Sequence, residues 1–188
     1  MNKKKIILVI CSILIGLAII FLIGNSFGFF KYMKKGDLVN IITINGIKVE
    51  IVNDNDSLNL NNAYPISDSE GLNLEPFEFK MINNSNSDIN YSIKVVADTD
   101  KLSSCQLDDG TNCPELSTSY IKFAYKKEDG SYTEPQLLSS NNNIVSSGTI
   151  TANGTITSSL VVWIDKNSGN EIMNHYFYGK LIIEGSQA

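Results

Sequence analysis

A chain of 188 residues, 43% of them hydrophobic, is long enough for one packed domain with an appendage and too apolar to stay unfolded. Its formal charge of −5 hides an asymmetry: residues 1–36 carry six lysines and no acid, whereas residues 37–188 carry nine lysines against twenty acids, a net −11. An acidic domain repels phosphate backbones, which sets nucleic acid aside as its partner.

In chain order, the first predicted element is residues 6–23, IILVICSILIGLAIIFLI. As a helix, Ile6 to Ile23 rises about 27 Å, close to the hydrocarbon thickness of a bilayer and longer than the usual core of a signal peptide. Lys3, Lys4 and Lys5 precede it, so the positive-inside rule sends the rest of the chain outward. Residues 1–30 are therefore predicted to be a signal peptide or signal-anchor helix. Residues 31–37 form a basic linker, and residues 38–188 an extracellular domain.

Beyond the linker the apolar residues alternate in short runs. NIITINGIKVEIV contains Asn45-Gly46 between two such runs, a strong two-residue hairpin signal. PFEFKMIN puts Phe77, Phe79 and Met81 on one face, and INYSIKVVAD does the same with Ile89, Tyr91, Ile93 and Val95. The polar stretch from Asn83 to Asp88 between them reads as a hairpin connection, because asparagine bonds its own main chain in turns. YIKFAY aligns Ile121, Phe123 and Tyr125. GTITSSLVVWID, closing on Trp163, and HYFYGKLIIEG, containing Phe177, are two further strands. Turn signals about every ten residues, with no long helical stripe, predict an all-β fold of eight to ten strands. The architecture expected is an antiparallel, jelly-roll-like β-sandwich behind one N-terminal hydrophobic helix. Its predicted core includes Phe77, Phe79, Tyr91, Ile93, Phe123, Trp163 and Phe177.

Candidate chemistry is sparse. His175 is the only histidine, so neither a Ser-His-Asp nor a Cys-His set can be assembled, and no HExxH helix is present. Asp54-Asn55-Asp56 and the loop containing Asp165, Asn167, Gly169 and Glu171 offer alternating oxygens. Neither has both the glycine and the terminal glutamate of a calcium loop, so a solvated turn is expected and a weak calcium site is the alternative. Asp108-Asp109 beside Gly110 reads as a turn. Cys11 lies within the apolar segment. Cys105 and Cys113 flank QLDDGTN; outside the membrane they would close a small disulfide ring, and two free thiols are the alternative. Without a nearby histidine they make a poor zinc site. No catalytic residue, metal or cofactor is predicted.

Three phrases together resemble the TasA/camelysin-like family of exported β-sandwich proteins of Gram-positive bacteria. GNSFGFF follows the apolar run where that family carries a small-aromatic-small-aromatic pattern. YPISDSEGLNLEPFEFKMINNS is similar to its Pro-x-Ser-Asp-x-Glu-Gly phrase, which leads into an aromatic strand. The C-terminal GTITSSLVVWIDKNSGNEIMNHYFYGKLIIEG is similar to its Trp-containing ending. The resemblance implies cleavage between Gly28 and Phe29 by a SipW-type signal peptidase. It also implies a jelly-roll subunit of cell-surface or biofilm-matrix fibres, whose N-terminal segment adds as a strand to the next copy. Pro65 to Leu74 is then expected to be a structural lead-in to a core strand, with a ligand loop as the alternative. The other readings are a membrane-anchored adhesive or ligand-binding module, and a camelysin-like metallopeptidase, for which no ligand set is present. The partners expected are a second copy of the chain and, before processing, the membrane.

Overall fold

The computed structural model describes residues 47–52, 58–61, 63–127 and 129–187, together with the backbone of two strands at 30–33 and 42–44. The expected membrane segment Ile6–Ile23, the expected cleavage site Gly28–Phe29 and the Asp54-Asn55-Asp56 stretch lie outside the described residues. Among those described, no helix is long and apolar enough to cross a membrane.

The strands are β1 (Phe30–Met33), β2 (Ile42–Ile44), β3 (Ile47–Ile51), β4 (Phe77–Asn83), β5 (Ile89–Ala97), β6 (Ile121–Tyr125), β7 (Gln136–Leu137), β8 (Ile144–Ile150), β9 (Thr155–Ile164) and β10 (Gly179–Gln187). They form a four-stranded sheet in the order β1-β10-β5-β8 and a six-stranded sheet in the order β2-β3-β4-β9-β6-β7. Every strand pair is antiparallel. Among the described residues helix is confined to short pieces, chiefly α1 (Asp68–Gly71) and α2 (Thr99–Ser104). The latter starts at Asp98, whose carboxylate accepts from the Asp100 and Lys101 amides, as an N-cap should.

The core lies between the sheets. Phe79 and Met81 of β4, Phe123 of β6 and Leu160 of β9 meet Ile93 and Val95 of β5 and Ile183 of β10 in one buried cluster, with Phe77 and Phe177 in it and Tyr91 half-buried at its margin. Strict alternation in β4 is the period-2 pattern of a strand with one face to the core. The Asn-Gly hairpin forms in the expected register, Ile44 facing Ile47. Residues 30–33, at the junction of the expected signal segment and basic linker, form β1, with Phe30 opposite Gly185 and Met33 opposite Ile182.

Two expectations are corrected. The stretch Asn83 to Asp88 is no hairpin, because β4 belongs to the six-stranded sheet and β5 to the four-stranded one. The chain crosses the sandwich here. Asn83 is fully buried and organises the crossing. Its amide nitrogen donates to the carbonyls of Ser87 (2.8 Å), Ile150 (3.1 Å) and Thr151 (3.0 Å). Its oxygen accepts from the Ser85 amide (2.9 Å) and hydroxyl (2.7 Å). A side chain that ties this segment to the end of β8 holds the two sheets together, which a turn asparagine in water would not do.

The second correction concerns Trp163. It is buried, but outside the inter-sheet core. Residues Leu160 to Ile164 are buried in an unbroken run, so both faces of β9 are covered. Leu160, Val162 and Ile164 point into the sandwich. Val161 and Trp163, with Ala124 of β6, form a second cluster on the outer face, capped by Ile66, Leu72 and Tyr132.

Candidate functional site: an N-terminal strand and an outer-face groove

The outer face of the six-stranded sheet explains the phrase PISDSEGL. Ser67 and Glu70 make a capping box. The Ser67 hydroxyl receives the Glu70 amide at 3.4 Å, while the Ser67 amide and hydroxyl both donate to Glu70 Oε2, at 2.8 and 2.6 Å. These bonds to the charged form, led by the serine hydroxyl, lower the Glu70 pKa. The box fixes one turn of helix where the sequence alone suggests only a lead-in. That turn brings Gly71 flat against the Trp163 indole. A Cβ on Gly71 would lie 2.8 Å from Trp163 Cε3 and nearer still to other ring atoms.

Two further ties hold this lid. The Ile66 amide donates to the Ile164 carbonyl at 3.1 Å. Lys122 of β6 donates to both carboxylate oxygens of Asp68, at 2.9 and 3.0 Å, and stands 3.4 Å from Asp165. The Asp68 hydrogen bond is the main reason that the Lys122 pKa is raised. One lysine thus joins the lid, β6 and the end of β9. Beside the lid lies a groove of about 540 Å³, lined by Leu60, Ala63, Tyr64, Leu74, Glu75 and Trp163 among others. Tyr64 is 83% exposed and Leu74 is also open to solvent. The buried Trp163 Nε1–H has no acceptor among the described residues. The groove, lined mainly by apolar side chains, can receive an apolar group.

Among the described residues the remaining candidates form no reactive set. His175 is not within a strand; it follows the left-handed Asn174, and its Nδ1 lies 3.0 Å from the Met173 carbonyl. Asp165 bonds the Asn167 amide at 3.4 Å, and Glu171 accepts from the Gly169 amide at 3.3 Å, so these acids close their own loop. Asp109 accepts from the Thr111 hydroxyl (2.6 Å) and amide (2.9 Å), chiefly through the former lowering its pKa. Among the described residues no three His, Cys, Asp or Glu are grouped so that they could hold a metal ion.

Cys105 and Cys113 are joined in a disulfide, with Cα atoms 5.4 Å apart. Inside the ring, the Gln106–Asn112 bridge and the Leu107 amide to the Thr111 carbonyl (2.8 Å) fold the loop on itself. Alkylation is expected to label Cys105 and Cys113 only after reduction, as peptide mass mapping would show. Replacing both by serine should cost about 2.5 kcal/mol in chemical denaturation through the freed loop entropy. Labelling of both without reductant would contradict the bridge.

The sequence presents Asn83 as a turn residue and gives no role to Gly71 or the capping box. The last was legible, since Ser67-x-x-Glu70 is its signature; the other two depend on partners far along the chain. Comparison of the chain with protein-family models, curated proteins and solved structures found no match in any of the three.

Proposed function

We propose that this chain is an exported structural subunit of the cell surface or biofilm matrix, similar to TasA/camelysin-like proteins. In this reading its sandwich follows a jelly-roll path, and copies join by strand addition. The observation that carries the reading is β1. Residues 30–33 lie just past the expected cleavage site, and among the described residues they join the four-stranded sheet through main-chain pairing with β10 alone. Backbone pairing of this kind is the same whether the strand comes from its own chain or from a neighbour. A terminal strand with one pairing partner is therefore the element most readily exchanged between copies. The acidic domain and the basic segment from Lys31 to Lys35 attract one another, which favours encounter at low salt.

Fibre formation by residues 29–188, and none by a chain starting at Gly36, is the expected result by electron microscopy and light scattering. A Lys31→Cys/Glu184→Cys pair, at positions directly opposed in β1 and β10, should close a disulfide within one copy and block assembly until reduced. Fibres from all of these chains, or from none across varied salt and pH, would remove the proposal.

A second reading rests on the Trp163 groove: a ligand-binding or adhesive module displayed on an uncleaved membrane helix. Sequencing the N-terminus of the exported protein separates the two. Phe29 as first residue supports the fibre subunit, and an intact Met1 supports the anchored module. The metallopeptidase reading receives no support from the arrangement of His175, Asp165 and Glu171.

A further inference from the structure

The four outermost strands are guarded very unequally. β7 is two residues long and follows Pro135, and β2 is three residues long. β1 is four residues long, with Lys31 within it and Lys34 and Lys35 after it. Short strands, lysines and prolines are the usual means of keeping sheet edges apart. β8 has none of them. It runs for seven residues, IVSSGTI, as the last strand of the four-stranded sheet, and Ser147, Gly148 and Thr149 are exposed. Its irregularity is confined to one end, where Ile93 faces Ser146 and Lys94 faces Ile144. From Ser146 to Ile150 the register is regular. The glycine in this stretch is covered by a side chain, since Gly148 lies opposite Tyr91, whose hydroxyl and ring atoms would sit 3.1 to 3.2 Å from a Cβ there.

Charge singles out the same edge. The thirty residues 135–164, which contain β8 and the loops at both of its ends, include no charged side chain, in a chain that carries thirty-five. Two acidic domains approach each other with least repulsion where such a surface meets its own copy. The strand is also close to self-complementary when run antiparallel to itself about Ser147. That register sets Ile144 against Ile150, Val145 against Thr149 and Ser146 against Gly148, so β-branched residues face β-branched residues and small faces small.

We propose that β8 is a self-association edge, through which two copies pair antiparallel about a two-fold axis at Ser147 and join their four-stranded sheets into one of eight strands. The contact is isologous and closes at a dimer. It lies at the opposite edge of the sheet from β1 and does not depend on strand exchange there.

The test uses the full chain in a Cys11→Ser background, with single cysteines placed on β8 under mild oxidation. A cysteine at position 147 would meet its counterpart in the second copy directly across the axis, at a Cβ separation of about 5 Å. Two cysteines at position 149 would stand about 14 Å apart. Ser147→Cys should therefore give at least about tenfold more cross-linked dimer than Thr149→Cys, as read on non-reducing gels. Ser147→Lys, with folding verified by circular dichroism, should leave monomer by sedimentation, while loss of β1 should leave the dimer intact. Equal cross-linking at both positions, a cross-link to a different protein, a monomeric parent chain or a dimer that survives Ser147→Lys would each overturn the proposal. Should Ser147→Lys fail to fold, the two cysteine variants decide alone.

Discussion

Asn83→Asp is expected to destabilise the protein by about 4 kcal/mol at neutral pH. The substitution keeps the shape of the side chain but turns a donor into an acceptor. An oxygen would then face the carbonyls of Ser87, Ile150 and Thr151 with no proton to share, inside a fully buried site. Net hydrogen bonds contribute about 1 kcal/mol each, and a stranded buried polar or charged group costs more. Burial and carbonyl neighbours raise the folded pKa of such a carboxyl above its unfolded value. Its protonated form is therefore the better tolerated, and the deficit should grow as pH rises from the unfolded pKa towards the folded one and shrink on acidification. Denaturant titration at several pH values, followed by circular dichroism, measures both. Asn84→Asp, at the exposed neighbouring position, should change stability by less than about 0.5 kcal/mol. Equal effects at the two positions would refute the assignment of Asn83 as the tie between the sheets.

Gly71→Ala should cost about 2 to 3 kcal/mol through overpacking. Gly71 sits in ordinary helical backbone, where alanine would usually be the better residue. The sign is reversed here by the Trp163 ring, which occupies the space a methyl group would need. Neither neighbour yields easily. The ring is 1% exposed, and the lid is held by the capping box and by Lys122. The expected outcome is a lifted lid, so Trp163, the only tryptophan, should report it as red-shifted fluorescence along with the lower stability. Ser69→Ala, exposed on the same turn, should leave the spectrum unchanged. A neutral or stabilising Gly71→Ala would mean that the turn does not pack on the indole as described.

These two residues also mark the boundary between what the chain's local pattern conveys and what it withholds. By itself the sequence determined an antiparallel β fold, because alternation at period 2 in residues 77–83 and 89–97 is a local property that any strand with one dry face must obey. It determined the hairpin at Asn45-Gly46 for the same reason, since a two-residue loop is encoded where it stands. The tertiary structure alone decided which strands share a sheet. Strands 77–83 and 89–97 read as neighbours, yet they lie in opposite layers, because the polar run between them is pinned by Asn83 to carbonyls nearly seventy residues away. It alone decided that Trp163 is buried on the outer face, since a strand covered on both sides loses the alternation by which its faces could be told apart. And it gave the glycine of SDSEGL its role, because the need for an absent side chain at residue 71 arises from a ring at residue 163, and no spacing within the chain records that meeting.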